Sequence, residues 1–219
     1  LIAMIGEKAE VVAVMLENDV PLVATILGVL KAGKIFVPLD PTQPARIKAV
    51  VQDVQPGVAI VNKNENLLTE VITPDCRLVQ YEALIDQIDG ANVVVELNRE
   101  TLAVIVYTSG STGIPKGVVW NHLSILYWNR LRTHESEVTE EDRIAALTSH
   151  TGNWIGDTLL ALLNGAALLP FDVRRNGVQG LVDWLSTERV SICAISAPLF
   201  RRLCENCKGN ENFAHLRVI

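Results

Sequence analysis

A loop rich in glycine and hydroxyl residues lies in the middle of the sequence and constrains fold and function more than any other stretch. The apolar run 102–106 before it predicts a buried strand. The loop itself holds three glycines, four Ser or Thr residues and one lysine, Lys116. Glycine lets backbone N–H groups approach a ligand closely, and successive N–H groups form an anion-binding concavity. With the charge of Lys116, this pattern predicts a polyphosphate-binding loop before a second short strand at Val118–Trp120.

The loop departs from two common phosphate-binding patterns. The Walker pattern GxxxxGK[ST] needs a glycine immediately before the lysine, and Pro115 stands there. The GxGxxG pattern does not fit either. A flexible surface linker is the alternative interpretation. A linker, however, has no need of a Pro-Lys-Gly end or of a buried strand in front, so we favour phosphate binding.

Two blocks of the sequence resemble one known family. Residues 102–118 read LAVIVYTSGSTGIPKGV, which is similar to the phosphate-loop signature of adenylate-forming enzymes. Residues 30–40 read LKAGKIFVPLD, which resembles the LKAGxAYVPLD block of adenylation domains in non-ribosomal peptide synthetases. The resemblance implies an α/β fold of two stacked subdomains, each with a mostly parallel sheet covered by helices. Since the sequence stops at Ile219 inside a predicted strand, we expect an incomplete N-terminal domain of such an enzyme.

The same resemblance implies the reaction and its parts. A carboxylic acid and ATP would give an acyl-adenylate and pyrophosphate, and the acyl group would then pass to a phosphopantetheine thiol on a carrier domain or on CoA. Lys116 is the expected catalytic residue, and Thr108 or Thr112 would place a hydroxyl near Mg²⁺. The residues expected to hold ATP are Thr108, Ser109, Gly110, Ser111, Thr112, Gly113 and Lys116.

A second segment, 149–157, is expected to line the acid pocket, with His150, Gly152, Asn153 and Gly156 as its candidate residues. It follows a predicted strand and opens a helix, and ligands bind at that edge of α/β sheets. In peptide-synthetase adenylation domains an FDxS block resembles this place. Its aspartate, which holds the substrate α-ammonium group, falls on Gly152.

We therefore predict that the preferred substrate acid has no α-ammonium group, or that another residue such as Asp157 pairs with that group. His150 has two interpretations, a substrate contact or a histidine at a helix start or in the core. Trp154 is interpreted as a packing residue, and His122 after the loop as a positioning or packing residue rather than a base.

Composition narrows the function classes. Hydrophobic residues make up 49% of the 219 residues, which suits a buried-sheet α/β protein, and the net charge of −6 gives no indication of nucleic-acid binding. No apolar run approaches the length of a membrane span, and no signal peptide is visible. Four irregularly spaced cysteines suit a reducing cytoplasm. Cys204 and Cys207 form a CxxC, but they continue a helical apolar series, so we interpret them as core or half-buried thiols rather than as metal ligands.

Alternating strands and helices predict two subdomains, 1–120 ending in the phosphate loop and 121–219 truncated at its end. Arg174 and Arg175 are expected in a solvated loop. The predicted strands are 9–16, 35–37, 57–61, 76–80, 92–98, 102–106, 118–120, 143–148, 166–169, 190–195 and 216–219. The predicted helices are one from the Asp19 cap to Lys31, then 45–53, 67–72, 81–88, 121–134, 153–164, 178–188 and 198–207.

Three functions are consistent with these features. The first is an adenylation domain that loads a carrier domain. The second is an acyl- or aryl-CoA ligase. The third, from another class, is a non-catalytic nucleotide-binding module, which the isolated fragment itself would resemble. Retention of Lys116 in the loop favours an enzyme.

Overall fold

The structure of this chain is a computed structural model, which describes residues 11–63, 68, 70–85, 94–108, 115–147, 152–209 and 211–219. The chain divides into two compact units, Leu1–Ile125 and Leu126–Ile219. Each unit is an α/β assembly, as the alternation of strand and helix patterns predicts.

A six-stranded sheet forms the first unit, with strands in the order β4-β3-β1-β2-β5-β6. All neighbours run parallel except β6, which is antiparallel to β5. A short loop reverses the chain, whereas a parallel neighbour needs a longer crossover, so the phosphate-loop connection itself accounts for the antiparallel edge. The predicted mostly parallel sheet is confirmed. The strands are β1 (Val11–Met15), β2 (Ile35–Pro38), β3 (Val58–Val61), β4 (Arg77–Gln80), β5 (Leu102–Thr108) and β6 (Lys116–Asn121).

Three helices accompany these strands: α1 (Val20–Lys31), α2 (Pro44–Val54) and α3 (Tyr81–Ile85). The predicted cap of α1 is confirmed, because an Asp19 carboxylate oxygen accepts a hydrogen bond from the Val20 amide at 2.7 Å. Helix α2 buries Ile47, Val50 and Val51 against side chains of the central strands. This packing fixes α2 beside the end of β5, where the phosphate loop begins.

The second unit contains a three-stranded parallel sheet in the order β8-β7-β9. Leu160 and Ala161 of one helix share a buried cluster with Ile144 of β7, while Leu181, Val182 and Leu185 of another helix pack with Ala145, the next residue of that strand. Because neighbouring strand residues face opposite sides, the sheet is covered on both faces. The remaining elements of the chain are α4 (His122–Glu135), which begins in the first unit and continues in the second, β7 (Arg143–Ala146), α5 (Gly152–Leu163), β8 (Ala167–Pro170), α6 (Val173–Thr187), β9 (Ile192–Cys193) and α7 (Ala197–Asn206).

A buried carboxylate anchors the end of the chain in this unit. Arg217 donates from Nε to Asp142 Oδ1 at 3.0 Å and from Nη2 to Asp142 Oδ2 at 2.6 Å. The Ser191 hydroxyl donates to Oδ1 at 2.7 Å, and the Thr139 amide donates to Oδ2 at 2.8 Å. Burial by itself would raise the pKa of Asp142, but Arg217, Ser191 and Thr139 together lower it to about 2.

Several predicted elements are wrong. Residues 94–98, the described part of the predicted strand 92–98, form no strand, and the described residues between 67 and 72 form turns instead of a helix. The strand predicted over 190–195 is only Ile192–Cys193. The helix predicted over 178–188 is present as the longer part of α6. A short helical segment that begins at Val173 precedes it and was not predicted, and Gly177, at φ +73°, interrupts the helical backbone between the two parts.

The first turn of α6 also corrects the placement of Arg174 and Arg175. They were expected in a loop, but Asp172 Oδ1 accepts hydrogen bonds from the amides of Arg174 at 2.8 Å and Arg175 at 3.2 Å. Asp172 is therefore a helix cap.

Candidate functional site

The base of the phosphate loop is a pair of adjacent strand ends. Thr108, the last residue of β5, lies opposite Lys116, the first residue of β6, and the Thr108 hydroxyl donates to the Lys116 carbonyl at 3.4 Å. Both residues are exposed. Of the other predicted ATP contacts, Ser109, Gly110, Ser111, Thr112 and Gly113 lie outside the described residues. The structure thus brings the two flanking residues of the predicted loop together at one edge of the sheet.

The buried side chain of Tyr107 supports the paired strand ends at the base of the loop. It is 9% exposed, and its hydroxyl donates to Asp53 Oδ2 at the end of α2. Burial, followed by the hydrogen bond and charge of Asp53, raises the pKa of Tyr107, which therefore stays neutral. A Cβ at Gly117, opposite Tyr107 in the ladder, would lie 3.3 Å from Tyr107 Cζ and 3.2 Å from Ile105 Cγ2. Glycine at this position lets β6 cross the tyrosine ring closely.

Arg46 of α2 reaches the same base from the side. Its Nη2 donates to the Tyr107 carbonyl, and its Nη1 donates to Gln43 Oε1 at 3.2 Å. Gln43 Nε2 in turn donates to Asp40 Oδ2 at 2.7 Å. Asp40 is the last residue of the block 30–40, so this chain of side chains joins the two sequence blocks that carry the family resemblance.

The second predicted segment opens α5 in the other unit. Gly152 is the first residue of that helix, Asn153 is exposed and Gly156 is half-buried. His150 lies outside the described residues. Trp154 is 0% exposed, which confirms its interpretation as a packing residue. Asn153 and Gly156 lie three positions apart on α5 and therefore on one side of the helix, and their part in an acid pocket stays a prediction.

Asp157 is not free to meet a substrate ammonium group. Its carboxylate lies 2.8 Å from Arg132 Nη1 of α4, and its side chain is only 4% exposed. Burial raises the pKa of Asp157 to about 6, and the charge and hydrogen bond of Arg132 act in the opposite direction. The sequence hypothesis that Asp157 serves as the ammonium partner is therefore wrong, because a buried internal ion pair already occupies this carboxylate.

A match to a known protein family assigns the whole chain, including the loop. The family model described as AMP-binding enzyme matches residues 1–219, the whole sequence. The chain belongs to the AMP-binding enzyme family.

Curated relatives of this chain include proteins many times its length. The chain is 34% identical over 218 residues to gramicidin S synthase 2 of Brevibacillus brevis, a match that covers 95% of the chain and 5% of the relative. The chain thus spans a small part of that relative's length.

Solved structures give the same fold. The AMPPNP-bound form of the non-ribosomal peptide synthetase FmoA3 matches with a TM-score of 0.83 at 22% identity, covering 95% of this chain and 22% of that one. The complex of VinN with L-aspartate matches with a TM-score of 0.74 at 27% identity, covering 90% of this chain and 53% of that one. Both support the predicted α/β architecture of adenylate-forming enzymes.

Two further expectations concern histidine and cysteine. His122 begins α4, and burial lowers its pKa, which favours the neutral imidazole. Its interpretation as a positioning or packing residue stays a prediction. Of the two thiols expected to be core or half-buried, Cys207 is half-buried but Cys204 is exposed, because the buried residue of that helix is Leu203. Within the described part of the chain, no three His, Cys, Asp or Glu side chains come together to hold a metal ion.

Sequence reasoning missed Arg46, Gln43 and Asp53, which surround the loop base. The available signal was the Asp-Pro-Thr-Gln-Pro sequence that starts at Asp40, the last residue of the block that resembles the family.

Among the described residues, no helix is long and apolar enough to cross a membrane.

Proposed function

We propose that this member of the AMP-binding family uses ATP to activate a carboxylic acid, an amino acid or a related acid, as an acyl-adenylate with release of pyrophosphate. The observation that carries the proposal is the pairing of Thr108 and Lys116 at two adjacent strand ends, on either side of a glycine- and hydroxyl-rich segment. A lysine at this edge is a mobile cation where a polyphosphate would lie.

The chemistry needs positioning and charge neutralisation more than covalent catalysis. A carboxylate oxygen attacks the α-phosphorus of ATP, the bond to the bridging oxygen breaks, and pyrophosphate leaves. Lys116 would stabilise the charge that develops on the departing pyrophosphate. ATP would enter as its magnesium complex, because Mg²⁺ is usually bound through substrate phosphates and one or two protein oxygens. The hydroxyl of Thr108 or that of Thr112 would supply such an oxygen.

The acceptor in this proposal is a phosphopantetheine thiol on a carrier domain, in the cytoplasm. The 34% identity to gramicidin S synthase 2 supports an assembly-line protein over a free-standing CoA ligase. A CoA ligase remains the second candidate, since the same adenylate can be transferred to the thiol of CoA.

Among these acids, the proposal favours one without an α-ammonium group. By resemblance, the aspartate that would hold that group falls on Gly152, and the nearby Asp157 is paired with Arg132. A buried ammonium without a counter-charge costs several kcal/mol or loses its proton. Hydroxy, aryl or keto acids avoid this cost.

The test is acid-dependent exchange of labelled pyrophosphate into ATP by the full-length protein, with a panel of amino, hydroxy, aryl and fatty acids. We expect exchange with at least one acid, and faster exchange with a hydroxy acid than with the α-amino acid of the same side chain. Matched pairs such as lactate and alanine isolate the ammonium group. Exchange that favours the amino acid would overturn the substrate class. ATP binding without exchange for any acid would favour the non-catalytic nucleotide-binding module.

A further inference from the structure

We infer that Arg46 is a positioning residue for the phosphate loop, acting through the backbone carbonyl of Tyr107. The inference rests on the proposed function, because it assigns to Arg46 a part in holding the nucleotide-binding loop. Arg46 lies 61 positions before Tyr107 in the sequence, so the contact is made by the fold rather than by the loop motif.

The Tyr107 carbonyl lies near the end of β5, next to the start of the loop. Strand β5 is paired with β2 at Val104 and with β6 as far as Thr108, and Tyr107 lies opposite Gly117 of β6. Buried backbone carbonyls are stabilised by hydrogen-bond donors. The guanidinium of Arg46 is a charged donor to this carbonyl at the residue immediately before Thr108, where the loop starts.

The guanidinium is itself held in place from the opposite side. Its Nη1 donates to Gln43, which donates to Asp40 at 2.7 Å. The other Asp40 oxygen accepts hydrogen bonds from the Thr42 amide at 3.0 Å and from the Thr42 hydroxyl at 2.7 Å. These bonds close the turn between β2 and α2. The geometry of that turn therefore sets the orientation of the Arg46 guanidinium group. Because this group is planar, it can make two directed hydrogen bonds at once.

A second support for the loop base is independent of Arg46. The Tyr107 hydroxyl donates to Asp53 in the last turn of α2, while the Tyr107 carbonyl accepts from Arg46 in its first turn. Helix α2 thus holds Tyr107 at both its side chain and its backbone. The backbone contact is the one that sets the direction of the chain as it enters the loop, since it acts on the peptide unit shared with Thr108.

The test measures the affinity of the full-length protein for AMPPNP with Mg²⁺ by titration calorimetry. Removing a hydrogen bond from a charged donor typically costs enough to weaken binding about tenfold, so we expect about that loss for Arg46→Ala. Arg46→Lys keeps one donor without the fork, and should recover part of the loss. Lys48→Ala, an exposed cation on the same helix, is the matched control and should stay within about twofold of the parent.

A purely structural role predicts a different pattern. Arg46→Ala would then lower the fraction of protein that binds and the melting temperature, but the protein that remains folded would bind AMPPNP with unchanged affinity. Tyr107→Phe separates the two contacts of Tyr107, because it removes the hydroxyl and keeps the carbonyl. We expect it to weaken AMPPNP binding less than Arg46→Ala does.

An AMPPNP affinity for Arg46→Ala equal to that of the parent, or an equal loss for Lys48→Ala, would overturn the inference. Failure of the proposed function looks different. In that case the parent binds AMPPNP but exchanges pyrophosphate with no acid, and the comparison of affinities still decides the role of Arg46. A parent protein that does not bind AMPPNP would overturn both.

Discussion

The loop base in the first unit and the start of α5 in the second use charged side chains in opposite ways. At the loop base, Arg46 binds a backbone carbonyl, and Lys116 stays exposed beside the predicted phosphate site. At α5, the charge of Asp157 is paired with Arg132, and the carboxylate is buried. The first arrangement leaves positive charge available for a ligand, whereas the second cancels its charge within the protein.

This difference indicates where function and stability are each located. Changes to the charges at the loop base should alter ATP use with small effects on folding. Changes to the α4–α5 ion pair should alter folding first. The predictions below test that division, from the largest expected effect to the smallest.

Lys116→Ala should lower the rate of pyrophosphate exchange by about 10²- to 10³-fold, the usual effect of removing one group that stabilises transition-state charge. The acid KM should change little, because Lys116 lies at the phosphate end of the reaction. Steady-state exchange with varied acid and saturating ATP measures both quantities. Lys116→Arg keeps the charge and should retain more activity than Lys116→Ala. An unchanged exchange rate in Lys116→Ala would remove Lys116 from the mechanism.

Arg132→Ala should lower the free energy of unfolding by about 3 kcal/mol at neutral pH, because it leaves the Asp157 carboxylate buried without a partner. Denaturant unfolding measures this change. Arg130→Ala, an exposed arginine on the same helix, is the control and should have little effect. Adding Asp157→Asn to Arg132→Ala should restore part of the loss, since no uncompensated charge then remains. Equal stabilities of Arg132→Ala and Arg130→Ala would show that the ion pair is unimportant.

The two buried aspartates of the second unit should give opposite pH dependence. The pKa of Asp142 is lowered to about 2 from 3.8, so its contribution is present above about pH 4 and is lost as the pH falls toward 2. The pKa of Asp157 is raised to about 6 from 3.8, so the folded state binds more protons between these values and stability falls as the pH rises from about 4 to 6.

Each contribution should be on the order of 2 kcal/mol, given about 1.4 kcal/mol per pKa unit. Unfolding free energies measured from pH 2 to 7 test this prediction. Asp142→Asn should reduce the pH dependence of the unfolding free energy between about pH 2 and 4. Asp157→Asn should reduce that dependence between about pH 4 and 6. Slopes of the same sign for both aspartates would contradict the opposite environments described for them.

The smallest expected effects are those of replacing one glycine in each region by alanine. Gly117→Ala should lower the free energy of unfolding by about 1 kcal/mol, because its Cβ would lie 3.2 Å from Ile105 Cγ2. Gly156→Ala should be neutral or raise it by up to about 1 kcal/mol, since the nearest atom is the flexible Arg132 Nη1 at 3.4 Å and alanine favours a helix. Thermal unfolding compares the two variants. Stabilisation by Gly117→Ala would contradict the close contact between β6 and Tyr107.

The sequence predicted the parts of this molecule that depend on neighbouring residues. The strand before the loop, the second strand after it and the cap at Asp19 are all encoded within a few positions, and each is confirmed. The contacts of Arg46 with Tyr107 and of Arg132 with Asp157 join distant helices and strands. No periodicity or motif indicates which distant residue will meet which, because tertiary packing decides it.

The acid pocket was harder to predict than the phosphate loop, because it depends on contacts between residues that are distant in the sequence. The loop signature is continuous in sequence, so its residues could be assigned directly. The acid pocket had to be inferred from one helix start, and the role suggested for Asp157 failed because its partner Arg132 comes from another helix. The start of α6 was missed because Gly177 breaks the helical pattern that marks the rest of that helix.

The central claim is that a carboxylate oxygen attacks the α-phosphorus of ATP, and an oxygen-18 transfer experiment tests it most directly. An accepted acid labelled in its carboxylate is incubated with the full-length protein, MgATP and a thiol acceptor, and the nucleotide products are analysed by mass spectrometry. The account predicts AMP that carries one heavy oxygen and unlabelled pyrophosphate, because the acyl–oxygen bond breaks when the thiol takes the acyl group. Formation of ADP with the label in inorganic phosphate would show attack at the γ-phosphorus and would contradict the account.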